Sequence, residues 1–400
     1  MERLTVGIFN DCFPPTIDGV ANVAVNYAKI IQQKHGTAIV VTPWYPEVKD
    51  DYPFHVVRYP SAYINKKLGY RAGYPFDPFI INHLKKSNMN IIHTHCPFSS
   101  TVLARTVRRY QEMPVVFTYH TKYDIDIDNI ISSDRLRNVS VRFVVNNINA
   151  CDEIWVVSKG AGKNLESLGC TREYLIMDNG TDFIKGKASE KEIVRLRKLY
   201  DLGEHTPVFL YVGRMMWYKG IRLILDGLKM VKAQGYPFIM FFVGDGPHHK
   251  EIEDYAEKCG LTKECIFTGA IMDREQLRSY YSLARLFLFP STFDTNGIVV
   301  NEAAACFCPS LLIAESCAAE KIVHDKTGIL ITEDCTQLAC AVMFACDHPS
   351  FMKRIGEKAA EEIYLSWEDA VKKAYERYQI IVENYQSRIR TNRKFSFWSQ

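Results

Sequence analysis

The chain has no apolar run long enough to cross a bilayer, which excludes a transmembrane helix. Its twelve cysteines are scattered, with no CxxC pair and no Cys/His ligand set, and Cys306 and Cys308 lie too close together for a zinc pair. A structural metal centre is therefore not expected, and the thiols read as reduced, as in cytosol. No signal peptide precedes the first apolar strand, so a cytoplasmic location is expected. There is no short-period repeat, no low-complexity segment and no GxGxxG, which leaves a dinucleotide-binding reading without support. The charge excess is only +3, too small to call for a nucleic-acid partner.

What the chain does have is apolar content: 400 residues, 47% of them hydrophobic, suffice for two domains with a core each. Short Val- and Ile-rich runs alternate with helical-period segments, the pattern of parallel sheets covered by helices on both faces. Strands are expected at 4–10, 37–42, 55–59, 90–95, 115–119, 153–158 and 174–177, with helices such as 20–33 and 100–110 between them. The pattern restarts at 208–213, 238–244, 265–268, 286–290, 311–314 and 328–331. A charged stretch, 182–202, separates the halves, with the linker near 182–190. The expected fold is α/β, two doubly wound Rossmann-like domains over 1–184 and 185–366, facing each other across a cleft where ligands bind. Residues 367–390 read as helix with no strand to follow, so they must pack on a surface; with a basic-aromatic tail they form a third segment, 367–400.

The richest segment runs from Phe289 to Cys306, FPSTFDTNGIVVNEAAAC. A strand ends at Pro290, a polar loop carries Asp294 and Asn296, and a helix should begin near Gly297. Backbone N–H groups of Gly297, Ile298 and Val299 would point out of that helix start and favour an anion, with Gly297 letting a phosphate come close. Glu302 lies about one turn further in, where its carboxylate can accept two ribose hydroxyls, and Asp294 lies on the other side of the anion, where a sugar would hang. The plainer alternative is an N-capping loop and a helix that carries one glutamate. A second segment, VFLYVGRMMWYKG from Val208 to Gly220, reads as strand, loop and helix start. Arg214 and Lys219 flank its loop and can converge on one anion, neutralising a departing diphosphate without a metal, or they can be ordinary solvated charges. At the amino-terminal side, NDCFPPTIDGV follows the first strand and puts Gly19 at a helix start, where backbone can approach a phosphate or the acceptor. VFTYHTKY ends another strand with His120 just past it, a position that serves structure as readily as catalysis.

The Asp294–Glu302 segment resembles the glycosyltransferase family 4 signature: two acidic residues separated by seven, an alanine-rich helix, and a proline-led strand, here at Pro309. Gly-Arg followed by Lys-Gly at Arg214 and Lys219, the Phe-Pro-Pro and Gly-Val opening loop, and Tyr-His-Thr-x-Tyr around His120 are similar to the same family, over essentially the whole chain. Two departures stand out: the first acid is Asp where Glu is usual, and Phe307 stands where Gly is frequent. The resemblance implies a retaining, metal-independent hexosyltransferase of GT-B fold with no cofactor. Its donor would be a nucleotide-diphosphate sugar, a UDP-sugar by preference, and its acceptor a hydroxyl of a lipid or glycan, a glycolipid precursor such as diacylglycerol among them. It also implies that Arg214 and Lys219 grip the donor phosphates, that His120 and Asp294 attend the sugar, and that the last helix returns to the first domain. Displacement would occur on one face of the sugar, with no protein nucleophile. An epimerase on the same fold would need further carboxylates around the sugar ring, and a non-catalytic nucleotide-sugar-binding subunit of a glycosylation complex is the other alternative.

Three other patterns carry less weight. His93-x-His95 places two imidazoles on one face of a strand but has no third ligand, and reads as cleft lining. Asp124-Ile-Asp-Ile-Asp reads as a solvated face or the acceptor rim rather than a metal site. Arg105, Arg108 and Arg109, the stretch holding Lys66, Lys67, Tyr70, Arg71 and Tyr74, and Arg388, Arg390, Arg393, Lys394, Phe395, Phe397 and Trp398 would suit an anionic membrane surface, or ordinary solvated faces. On the first reading the protein sits peripherally on the cytoplasmic face of a membrane.

Overall fold

The computed structural model of the chain describes residues 3–16, 18–46, 48–65 and 70–398. It divides into two compact units, Met1–Asn179 with Trp367–Gln400, and Gly180–Ser366.

The first unit is built on β1 (Thr5–Phe9), β2 (Thr37–Pro43), β3 (His55–Tyr59), β4 (Ser61–Asn65), β5 (Tyr70–Gly73), β6 (Ile91–Thr94), β7 (Val115–Tyr119), β8 (Glu153–Val156) and β9 (Tyr174–Ile176). Seven of these form one sheet in the order β3-β2-β1-β6-β7-β8-β9, with every pair parallel. The chain winds outward from β1 to β3, then crosses back to β6 beside β1, which makes the β1/β6 boundary a switch point. Both faces are covered, which is why β6 and β7 are buried at every position. β4 and β5 pair as an antiparallel hairpin that the sequence did not announce. The helix Gly19–Ile30 runs into a π-helical turn, Ile31–His35, and Ser99–Gln111 follows β6. Asp124 and Asp128, four apart, lie on a helix, Tyr123–Ile130, where Asp124 accepts from Asn164 and Asp128 pairs with Arg137 at 3.5 Å.

The terminal helix Trp367–Trp398 belongs to this unit. Leu4 N–H donates to Tyr375 Oη at 2.8 Å, Tyr378 shares a 2.5 Å hydrogen bond with His93, and Arg377 pairs with Glu153 at 2.6 Å. Covered in this way, His93 and His95 are fully buried with ring centroids 4.0 Å apart. The expectation that they line an opening is corrected: β6 is central, and the terminal helix covers that face.

The second unit holds β10 (Val208–Val212), β11 (Ile239–Val243), β12 (Cys265–Gly269), β13 (Leu286–Phe289), β14 (Ser310–Ile313) and β15 (Gly328–Ile331), ordered β12-β11-β10-β13-β14-β15 and all parallel. Its switch point lies between β10 and β13. The core is aromatic-rich, with Phe209, Tyr211, Phe241, Tyr280 and Tyr281 almost fully buried. The stretch expected as linker leads straight into a helix, Glu190–Leu199, capped by Ser189. Chain entry and exit lie side by side, Thr181 N–H donating to Leu365 O at 2.9 Å. Among the described residues no helix is long and apolar enough to cross a membrane.

Candidate functional site

In a doubly wound sheet the crevice lies beyond the carboxyl ends of the strands at the switch point. In the second unit that edge is built from the loops after β10 and β13, the two segments that carry the sequence motifs. The β10 loop is pinned at Met215, whose N–H donates to Asp245 O at 3.0 Å and whose carbonyl accepts from His248 at 3.2 Å. It then turns at Gly220, in the left-handed region with φ 78°. A Cβ on Gly220 would stand 2.2 Å from Pro290 O, so only glycine lets this loop close onto the end of β13. That approach sets Tyr218 against Phe293, ring centroids 4.5 Å apart, and brings Lys219 Nζ to 2.5 Å from Asp294 Oδ1.

The Lys219–Asp294 pair is partly sheltered, the side chains 13% and 22% exposed. The other carboxylate oxygen of Asp294, Oδ2, is buried with no hydrogen-bond partner. Arg214 lies on the same loop with an exposed side chain, its carbonyl accepting from Tyr211 Oη at 3.2 Å. Asn296 and Gly297 follow Asp294, and the helix Ile298–Ala305 begins with Gly297 at φ 64°. A Cβ there would meet Ala318 at 2.8 Å. No side chain caps this helix and no acid sits in its first turn, so the amino end, with Ile298 and Val299, keeps its positive character.

Glu302, on the same helix, is only 6% exposed. Its Oε1 accepts from Arg274 at 2.6 Å and its Oε2 from Tyr281 at 2.9 Å. Arg274 also binds both oxygens of Asp182, at 2.5 and 2.9 Å, and lies 4.2 Å from the centre of the Phe183 ring. Burial pushes the Glu302 carboxyl up, while the charge and hydrogen bond of Arg274 and the hydroxyl of Tyr281 pull it back. Two of its roughly four acceptor directions are thus engaged within the unit. None of Arg274, Tyr281 or Asp182 was legible as a site residue: they stand far from Glu302 in sequence, and Asp182 lay in the expected linker. Phe307 explains a departure noted above. It sits at φ 60°, just past the helix end, a conformation that glycine reaches without strain.

His120 and Gly19 belong to the other unit. His120 is 8% exposed and its Nε2 shares a 2.9 Å hydrogen bond with His95 Nδ1. Burial pushes its imidazole down to about 3, so it is neutral at physiological pH. Gly19 opens the helix Gly19–Ile30, but Asp18 caps that end, accepting from Val20 N–H at 2.8 Å and Ala21 N–H at 3.3 Å. An anion there would meet a carboxylate, unlike at Gly297. A Cβ on Gly19 would touch nothing within 4 Å. Among the described residues no three His, Cys, Asp or Glu side chains gather as a metal ligand set.

Three arginines of the basic surface elements are engaged. Arg71 is buried, 4.1 Å from the Tyr63 ring centre and bound to Ser61, Arg105 donates to Asn147 at 2.6 Å, and Arg108 pairs with Asp152. Arg109, Arg388 and Arg390 are exposed. Lys66 and Lys67 lie outside the described residues, as do the side chains of Tyr70, Arg393, Lys394, Phe395, Phe397 and Trp398.

With this geometry in view, the model of Glycosyl transferases group 1 matches residues 192–362 and that of Glycosyltransferase Family 4 matches residues 17–183. The chain belongs to glycosyltransferase family 4. An alpha-monoglucosyldiacylglycerol synthase of Acholeplasma laidlawii is 23% identical, over 90% of this chain and 94% of that protein. The protein of that name from Streptococcus pneumoniae is 24% identical, over 76% and 70%. Among solved structures, Anabaena Alr3699/HepE in complex with UDP and glucose superposes with a TM-score of 0.75 at 17% identity, over 94% of this chain and all of that one. Sucrose-phosphate synthase from Thermosynechococcus elongatus gives 0.76 at 18% identity, over 96% of this chain. The glycosyltransferase thus has the GT-B fold, two Rossmann-like α/β units.

Proposed function

We propose that this glycosyltransferase moves a hexosyl unit from a UDP-sugar to a hydroxyl of a lipid or glycan, with retention and without a metal, at the cytoplasmic face of a membrane. The observation that carries the reading is the contact of Lys219 with Asp294 beside the uncapped helix start at Gly297. A diphosphate seated there would meet helix N–H groups and the cations Lys219 and Arg214, enough positive potential to stabilise the leaving group as its charge grows. Asp294 Oδ2, an acceptor without a donor, suits a sugar hydroxyl. Burial holds His120 neutral, so it would not carry a charge into the reaction. With no basic side chain needed, the departing phosphate oxygen takes the acceptor proton, and attack comes from the face the phosphate leaves. A UDP donor agrees with a fold neighbour that holds UDP and glucose, and a lipid acceptor with relatives named for a glucosyldiacylglycerol product.

The test offers UDP-glucose, UDP-galactose and GDP-mannose with diacylglycerol or small glycans, in EDTA, reading released nucleotide and the anomer formed. A product of retained configuration with EDTA present is the expected result. Nucleotide binding without transfer would leave a binding subunit, and activity restored only by manganese or magnesium would remove the metal-free mechanism.

A further inference from the structure

We infer that the outer face of the helix Asp134–Asn149, in the first unit, docks on an anionic lipid surface; this rests on the reading that the acceptor is a membrane lipid. The helix buries Val144, Val145, Asn147 and Ile148. Its opposite face should be polar, yet it exposes Leu136 and Val139 at 58% each and Phe143 at 48%. Spaced by three and four residues, these three form one stripe along the helix. Arg135 and Arg142, seven apart, run beside it and are exposed. The helix has a single acid, Asp134, which pairs with Arg137 at 3.0 Å and lies away from the stripe. Large apolar groups with arginines beside them are the pattern of a helix lying in a membrane interface, where the stripe enters the acyl boundary and the arginines meet anionic headgroups.

Position in the fold agrees. β7 and β8 are parallel, so a helix between them returns from the carboxyl edge of the sheet to the amino edge. Leu136 and Val139, near its start, therefore lie toward the carboxyl edge, where ligands enter such sheets. A second apolar surface is less suited. The groove lined by Trp44, Pro60, Phe79 and Ile80 has Arg58 paired with Asp50 at 2.7 Å and Asp77 capping a helix, so among its described lining residues no cation is spare for an anionic surface.

The experiment floats the full chain with vesicles of phosphatidylcholine alone or mixed with phosphatidylglycerol, at low and high salt. Expected is binding to the anionic vesicles that weakens with salt. Leu136→Ser with Phe143→Ser should lower it on the order of tenfold or more. Arg135→Gln with Arg142→Gln should lower it several-fold on anionic vesicles and little on phosphatidylcholine. UDP affinity and turnover of detergent-dispersed acceptor should not change in either variant, which shows them folded. No vesicle binding by the wild type, or loss caused by Phe79→Ser and not by the helix variants, would overturn the inference. So would a wild-type dimer that the helix variants dissociate, since a second copy would then cover the face. Flotation without turnover of any lipid acceptor would instead count against the acceptor reading and leave the docking surface standing.

Discussion

Glu302 has a structural role in its contacts with Arg274 and Tyr281, and stability alone does not separate it from the proposed role toward the donor ribose. Its carboxylate neutralises a sheltered part of Arg274 and accepts from Tyr281, so Glu302→Gln leaves Arg274 with Asp182 alone and should lower the melting temperature whatever the ligand. The discriminating measurement is calorimetric titration of UDP against its dideoxy analogue. Weaker binding of UDP with unchanged binding of the dideoxy form is the expected outcome; equal behaviour of both would leave Glu302 a structural group. Lys219 and Arg214 separate in another way. Loss of either cation should slow transfer about a hundredfold, on the order of 3 kcal/mol. Arg214→Ala should do so with an unchanged melting temperature, because its side chain is exposed. Lys219→Ala also strips Asp294 of its partner and should lower the melting temperature by a few degrees. Near wild-type turnover in both variants would remove the pair from the donor site. The residues of the loops after β10 and β13 were legible because each motif is local. The Arg274–Glu302 contact was not, since it joins two helices through a fold that no local spacing encodes.

Among the elements, those buried on both faces were the easiest to read. β7 and β10 are largely apolar runs because helices cover each side of their sheets; β7 has the expected bounds and β10 ends one residue short of them. Two irregular pieces were less legible: the hairpin of β4 and β5 has no alternating apolar face, and the acids of Tyr123–Ile130 alternate as a strand would. Two glycines at helix starts make the functional consequence of such local geometry testable. Gly220→Ala must move the loop off Pro290 and hold a left-handed alanine, costing on the order of 1–3 kcal/mol. Turnover should fall with stability, because Lys219 moves with the loop. Gly19→Ala meets nothing and should leave stability equal or raise it by a few tenths of a kcal/mol. Any loss of turnover in Gly19→Ala at full stability would then report a ligand at that helix start; full activity would take Gly19 out of the site.

For the molecule as a whole, the first unit carries a buried histidine cluster that makes its stability depend on pH. Burial holds His93 and His95 well below the usual histidine range and His120 at about 3. In the unfolded chain all three take up protons near the ordinary value of about 6.5. Their folded values being lower, the stability they allow is present above pH 6.5 and is lost as pH falls through the window below it. Asp11 works in the opposite direction. Burial pushes its carboxyl from 3.8 to about 6, against the hydrogen bonds of Ser100 and Tyr59, so the folded unit binds this proton first and stability declines as pH rises from about 4 to 6. As pH falls below 6.5 the unfolded chain gains the histidine protons while the folded one gains that of Asp11, and with three histidines against one carboxyl the net effect is loss of stability on acidification. The second unit has no such buried histidines among its described residues and should respond less. Urea unfolding at pH 7, 6 and 5, followed by amide hydrogen exchange in β6 and β7 and separately in β10 and β13, measures both units in one sample. Protection of β6 and β7 should collapse first as pH falls, while Asp11→Asn should steepen the loss by removing the opposing proton. Equal pH response in the two sheets would mean that the histidines titrate in the folded protein, and that their burial does not hold them neutral.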